Sequence, residues 1–163
     1  MLKRCESIVC RISKLFDILA GWGIVAVMAL TVSNILLRLL IKSPILGTYE
    51  YVGFLTAVAI GFSLAYCAVQ NGHIAVSFVL ERFSSKIQAG VDVITGFIAF
   101  IFLSLSTWHM GKYAYSMIVS GEVSPTTKTI FYPFIYLVAV GLFMLSLVVL
   151  VKLAGFMKRG VKG

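Results

Sequence analysis

Charge is what this chain lacks most. Only 12% of its 163 residues are charged, and only 6 of those are acidic. None of the acidic residues falls within the four apolar runs at 18–37, 51–69, 93–111 and 129–151. Proton-driven carriers normally hold an ionisable group near the bilayer midplane, and sodium carriers use broken helices at that depth. With neither feature, the chain is not expected to pump solute unaided. Cysteine is scarce too. Cys5 and Cys10 precede the first run and Cys67 lies in the second, with no metal-site spacing and no expected disulfide. The 3 prolines fall in loops or near a run's start, so no run is broken in its middle. No Ser/His/Asp set converges and no phosphate loop exists, so catalysis and cofactors are not expected.

What the chain has is apolar length. Residues are 60% hydrophobic, the mean hydropathy is +1.02, and the runs are 19 to 23 residues long. About 20 residues of helix cross a hydrocarbon core of roughly 30 Å. The fold class expected is therefore an all-α membrane protein. Its spans are placed at about 18–41, 48–70, 87–119 and 129–152, in a single bundle over 1–163 with short amphipathic interfacial helices. The net charge of +8 does not point to nucleic acid, because its distribution follows the membrane. Ten basic residues precede the first run, follow the last, or lie between the second and third; four (Arg38, Lys42, Lys112, Lys128) fall on the other face. The positive-inside rule places both termini in the cytoplasm, with the basic excess against the anionic phospholipid bilayer.

Local signals punctuate the spans. Residues 2–17 alternate at helical period, which predicts an amphipathic juxtamembrane helix rather than a cleaved signal. Ser43-Pro44 stops the first span, and Thr48 is the expected N-cap of the second. Gln70 to His73 breaks that span, and 74–84 reads as an interfacial helix. The third helix meets no strong breaker before Gly121; from Ser85 to Ser120 it would reach about 54 Å, beyond the bilayer. Pro133 suits the first turn of the fourth.

Few residues invite a functional reading. Gly53, Ala57, Gly61 and Ala65 recur every fourth position of the second span and form a small-residue row. Such rows let helices approach closely in lipid, either within the bundle or against a partner subunit. Asn34 and Arg38 share a face near the end of the first span, and Glu50 follows across a short turn. Arg38 either snorkels to the interface or pairs with Glu50. His73 and His109 fall at opposite ends of their helices, roughly a membrane apart, and cannot share one haem. Lys112, Glu122 and Lys128 surround the outer end of the third helix, where a soluble protein would land.

Read in order, these residues resemble a known family. Asn34-x3-Arg38, Gly47-Thr48-Tyr49-Glu50, Gly72-His73-Ile74-x-Val76, Arg82-Phe83, Pro133 and Gly141 are similar to the small, DctQ-type membrane subunit of tripartite ATP-independent periplasmic (TRAP) transporters. Ser77 stands where that family usually has Asp, and Phe134 where Trp is frequent. The resemblance implies an accessory scaffold in the bacterial inner membrane. It would work with a large membrane subunit holding the sodium and substrate sites and a periplasmic substrate-binding protein, importing a small carboxylate or an acidic sugar such as sialic acid. Asn34, Arg38, Glu50, His73 and Arg82 are expected to be structural polar residues. The alternative from another class is a four-helix membrane anchor subunit of a respiratory redox enzyme.

Overall fold

The computed structural model describes residues 2–70 and 85–160. They form four helices: α1 (Leu2–Leu40), α2 (Thr48–Val69), α3 (Ser85–Ser120) and α4 (Tyr132–Gly160). Each is long and apolar enough to cross a membrane. The amphipathic N-terminal stretch is continuous with the first span, because no glycine precedes Gly21 and no proline precedes Pro44. The expected interfacial helix over 74–84, with His73 and Arg82, lies outside the described residues.

The helices pack as an open row in the order α1–α2–α4–α3. α2 lies between α1 and α4, and α4 lies between α2 and α3; α1 also touches α4, where Val9 and Cys10 lie near Val148, Val151 and Lys152. Among the described residues α3 has no comparable packing on α1 or α2. The inner pair is therefore the core. Ala65 and Ala68 of α2 pack with Met144, Leu145 and Val148 of α4. A second cluster joins Ala20 of α1 to Ala59 and Phe62 of α2, with the Phe16 and Phe62 rings stacked at 4.6 Å. The outer helices keep large apolar side chains uncovered, among them Trp22 and Met28 on α1 and Ile98 and Phe102 on α3. In lipid this is permitted, since hydrocarbon solvates such groups as well as a protein core does.

What holds α2 to α4 is backbone proximity rather than side-chain bulk. A methyl group at Gly141 would sit 2.6 Å from the Gly61 carbonyl carbon and 3.2 Å from its Cα. Hydrogen is the only side chain that fits there. The requirement is lopsided. A methyl at Gly61 would meet Val138 no closer than 3.5 Å, an ordinary contact. Above the crossing, Phe54 of α2 stacks on Phe134 at 4.6 Å and meets Phe131 edge-on at 5.4 Å. At the termini end, the Lys152 ammonium of α4 donates to the Ala68 carbonyl in the last turn of α2. A cation there satisfies an orphan carbonyl and complements the helix dipole.

Gly141→Ala should therefore cost about 1–3 kcal/mol by overpacking, despite alanine's better helix propensity. Gly61→Ala should stay within about 0.5 kcal/mol. Thermal unfolding in one detergent checks the pair, and equal effects would show that the crossing is not glycine-limited.

Candidate functional site

The polar chemistry gathers at the face opposite the termini, where the 41–47 turn meets the 121–131 loop. α1 ends with the Ile41 amide on the Leu37 carbonyl at 2.9 Å, and Lys42 turns the chain left-handed at φ 56°. Asn34, one turn back from the Arg38 step, accepts the Ile45 amide on its side-chain oxygen at 2.8 Å. That bond folds the turn back on α1. Gly47 follows at φ 75°, and its carbonyl takes the Glu50 and Tyr51 amides at 2.9 and 3.1 Å. It occupies the N-cap position, with no side-chain cap. Thr48, expected there, is instead the first helical residue, and its hydroxyl donates to the Ile45 carbonyl at 2.8 Å. Glycine at 47 is required twice: for its left-handed backbone, and because a Cβ would overlap the Thr127 methyl.

The opposing loop is equally tight. Gly121 leaves α3 at φ 65°, Val123 bridges to Ile130, and the Ser124 amide donates to the Thr129 carbonyl at 2.9 Å. The Lys128 amide donates to the Ser124 carbonyl at 3.0 Å, with Lys128 itself at φ 53°. Three hydroxyl residues, Ser124, Thr127 and Thr129, line the inside of this loop, and Thr126 is exposed. Ser124 donates its hydroxyl to Glu50 Oε2; Thr127 donates to the same oxygen at 2.8 Å, and the Thr126 amide reaches Oε1 at 3.3 Å. Thr129 sits 2.8 Å from the Thr127 hydroxyl and 3.2 Å from the Tyr51 hydroxyl. Glu50 thus ties the mouth of α2 to the loop entering α4. Its charge is met by hydroxyl and amide dipoles.

The residues singled out from the sequence divide into groups. Asn34 and Glu50 stand in this tie, while Arg38 is exposed and both Glu50 oxygens are taken by the 124–127 segment. Of the small-residue row, Gly61 and Ala65 are buried, whereas Gly53 and Ala57 are exposed. Rows of every fourth residue wind by about 40° per step on a helix of 3.6 residues per turn, so one neighbour cannot cover all four. Lys112, Glu122 and Lys128 are all exposed, but Lys112 lies about 15 Å back along α3 from Glu122. Its ammonium sits 5.5 Å from the centroid of the Trp108 ring. His109 is exposed on α3, and among the described residues no three His, Cys, Asp or Glu side chains gather.

Sequence reasoning missed the hydroxyl loop as the partner of Glu50. The available signal was Ser124, Thr126, Thr127 and Thr129 crowded into six positions beside a span with one carboxylate at its mouth. Removing that carboxylate leaves the buried Ser124 hydroxyl without its acceptor. Glu50→Ala should lower the thermal midpoint, and Glu50→Gln, which keeps one acceptor oxygen, should lower it less. Thermal midpoints of the two variants check this order, and a harmless Glu50→Ala would remove the tie from the account.

No curated protein and no solved structure matches the chain. A family model does: that of tripartite ATP-independent periplasmic transporters, DctQ component, over residues 27–159. The matched stretch takes in the Asn34 turn, the Glu50 tie and the Gly61–Gly141 crossing, with the last part of the first span and the whole of the other three. That family is a transporter component rather than an enzyme. The chain belongs to the DctQ family, and is a small multi-pass membrane subunit of a TRAP transporter.

Proposed function

We propose that this subunit is a static scaffold for a sodium-coupled importer of a small carboxylate or acidic sugar, with substrate and ion held by a large membrane subunit. The observation that carries the reading is the division of labour among the helices. α2 and α4 are tied at both ends and crossed at Gly141, while α1 and α3 present uncovered apolar flanks. Among the described residues no carboxylate lies deep in a span. A part built this way holds position and offers surface. The bacterial inner membrane is its place, with both termini cytoplasmic by the basic asymmetry of the sequence. The redox-anchor alternative gains no support from the family match.

Gly53 and Ala57 belong to the docking surface for the large subunit in this reading. A methyl at Gly53 would meet nothing within 4 Å, so substitution there spares the internal packing. Gly53→Leu should leave thermal stability unchanged and abolish copurification of a much larger polytopic protein in mild detergent. Gly61→Leu, forced against Val138, should instead lower expression. Retained copurification with Gly53→Leu would move the docking surface elsewhere.

The periplasmic binding protein lands on the tied loops, with Glu122 and Lys128 at its rim and Lys112 about 15 Å back along α3. Rim charges mainly govern encounter and its salt dependence. A cysteine at Gly121, in a background without Cys5, Cys10 and Cys67, should react with an impermeant thiol reagent outside intact cells. Excess binding protein should slow that reaction. Protection until lysis would reverse the orientation, and indifference to the binding protein would remove this loop from the docking surface.

A further inference from the structure

Between α3 and α4 runs an open groove of about 560 Å³ that neither the helix packing nor the loop tie uses. Its walls are apolar: Phe100 on α3, and Phe143, Leu147 and Leu150 on α4. Its floor is the Ser104–Ser146 pair, whose hydroxyls share one hydrogen bond at 3.2 Å. With that bond made, hydrocarbon above the pair costs less than it would over two unpartnered hydroxyls. One end differs. There Lys112 lies over the Trp108 ring at 5.5 Å, with Tyr115 one turn on, at the point where the uncharged run 93–111 ends. Trp, Tyr and a cation at the end of an apolar run mark the membrane–water interface.

We infer that this groove binds one anionic phospholipid of the leaflet on the loop side, an acyl chain lying between α3 and α4 and the phosphodiester at Lys112. Length supports it. From Phe100 to Lys112 the groove runs about 18 Å along α3, close to the roughly 15 Å that one leaflet contributes to the hydrocarbon core. Size supports a chain over a helix. A helix of that length fills about 1,400 Å³, more than the groove holds, so a slender group suits it better. Charge decides the headgroup. The Lys112 ammonium is steered to the groove's end by the Trp108 face, which favours a net negative phosphodiester over a zwitterionic one. Bound there, the lipid would fill the seam of the edge helix α3 and stiffen its attachment to α4.

Trp108 reports on its own groove. The chain has 2 tryptophans, so Trp22→Phe leaves Trp108 alone. The full-length protein is reconstituted in phosphatidylcholine vesicles with a minor share of phosphatidylglycerol, and one lipid at a time carries bromine on its acyl chains. Brominated phosphatidylglycerol should quench Trp108 with a relative association about fivefold above brominated phosphatidylcholine. Lys112→Gln should bring the ratio to unity while Lys112→Arg preserves it. Gly111→Leu, which projects into the groove from an otherwise open position, should remove the excess quenching. Mass spectrometry of the unsubstituted protein should find retained phosphatidylglycerol. Equal quenching by both lipids, a ratio unchanged by Lys112→Gln, or no retained anionic lipid would each overturn the site. So would a Trp108 that neither lipid quenches, since a protein partner would then cover the groove.

Discussion

The close approach of α2 and α4 at Gly61 and Gly141 is the constraint on which the other contacts depend. In lipid the hydrophobic effect does not draw helices together, so association rests on close packing, hydrogen bonds and helix ends that fit. Gly141 has room only for hydrogen against the Gly61 backbone, and the seam below it is built from Ala65 and Ala68 against Leu145 and Val148. Once the axes are that close, their ends are within reach of short polar ties. At one end, Glu50 of α2 gathers Ser124, Thr126 and Thr127 of the loop that enters α4. At the other, Lys152 of α4 reaches the Ala68 carbonyl of α2. Widening the crossing by a methyl group would stretch both ties at once.

This inner pair sets the character of the outer helices. α1 leans on α2 through Ala20, Ala59 and the Phe16–Phe62 stack, and α3 leans on α4 through Ser104 and Ser146. Among the described residues neither outer helix closes the row. A closed bundle would hide its small residues and present lipid with an even surface. An open row keeps two flanks and a groove available without disturbing its centre. In the proposed scaffold role, available surface on a fixed frame is the useful product.

The sequence is most legible where the bilayer imposes one rule on many residues. The positions of the four spans follow from uncharged length, because unpaired charge at depth is costly. Which face packs is another matter. A helix in lipid is apolar all round, so the periodicity that marks a core face in water is absent. The row from Gly53 to Ala65 looks like a single face when read along the sequence, yet winding turns half of it away from α4. Glu50 misleads for a different reason. Arg38 is an opposite charge close by in the sequence, but the donors that reach the carboxylate are hydroxyls and an amide more than 70 residues on. Lys152 counts as one more basic residue for topology until the fold brings it to the end of α2. Long-range polar closure of this kind leaves its donors and acceptors visible in the sequence without showing which of them meet.

The most direct measurement of the account is disulfide formation within one chain in native membranes, with the three native cysteines replaced. A Cβ at position 61 lies 3.5 Å from the Val138 Cα and 3.7 Å from its Cγ1, which suits the roughly 3.5–4.5 Å Cβ separation of a disulfide. Gly61→Cys with Val138→Cys should cross-link rapidly and nearly completely. Val25→Cys on α1 with Phe102→Cys on α3, at opposite edges of the row, should not cross-link within a chain. An intramolecular bridge between positions 25 and 102 forming as fast as that between 61 and 138 would contradict the open row and its glycine-crossed centre.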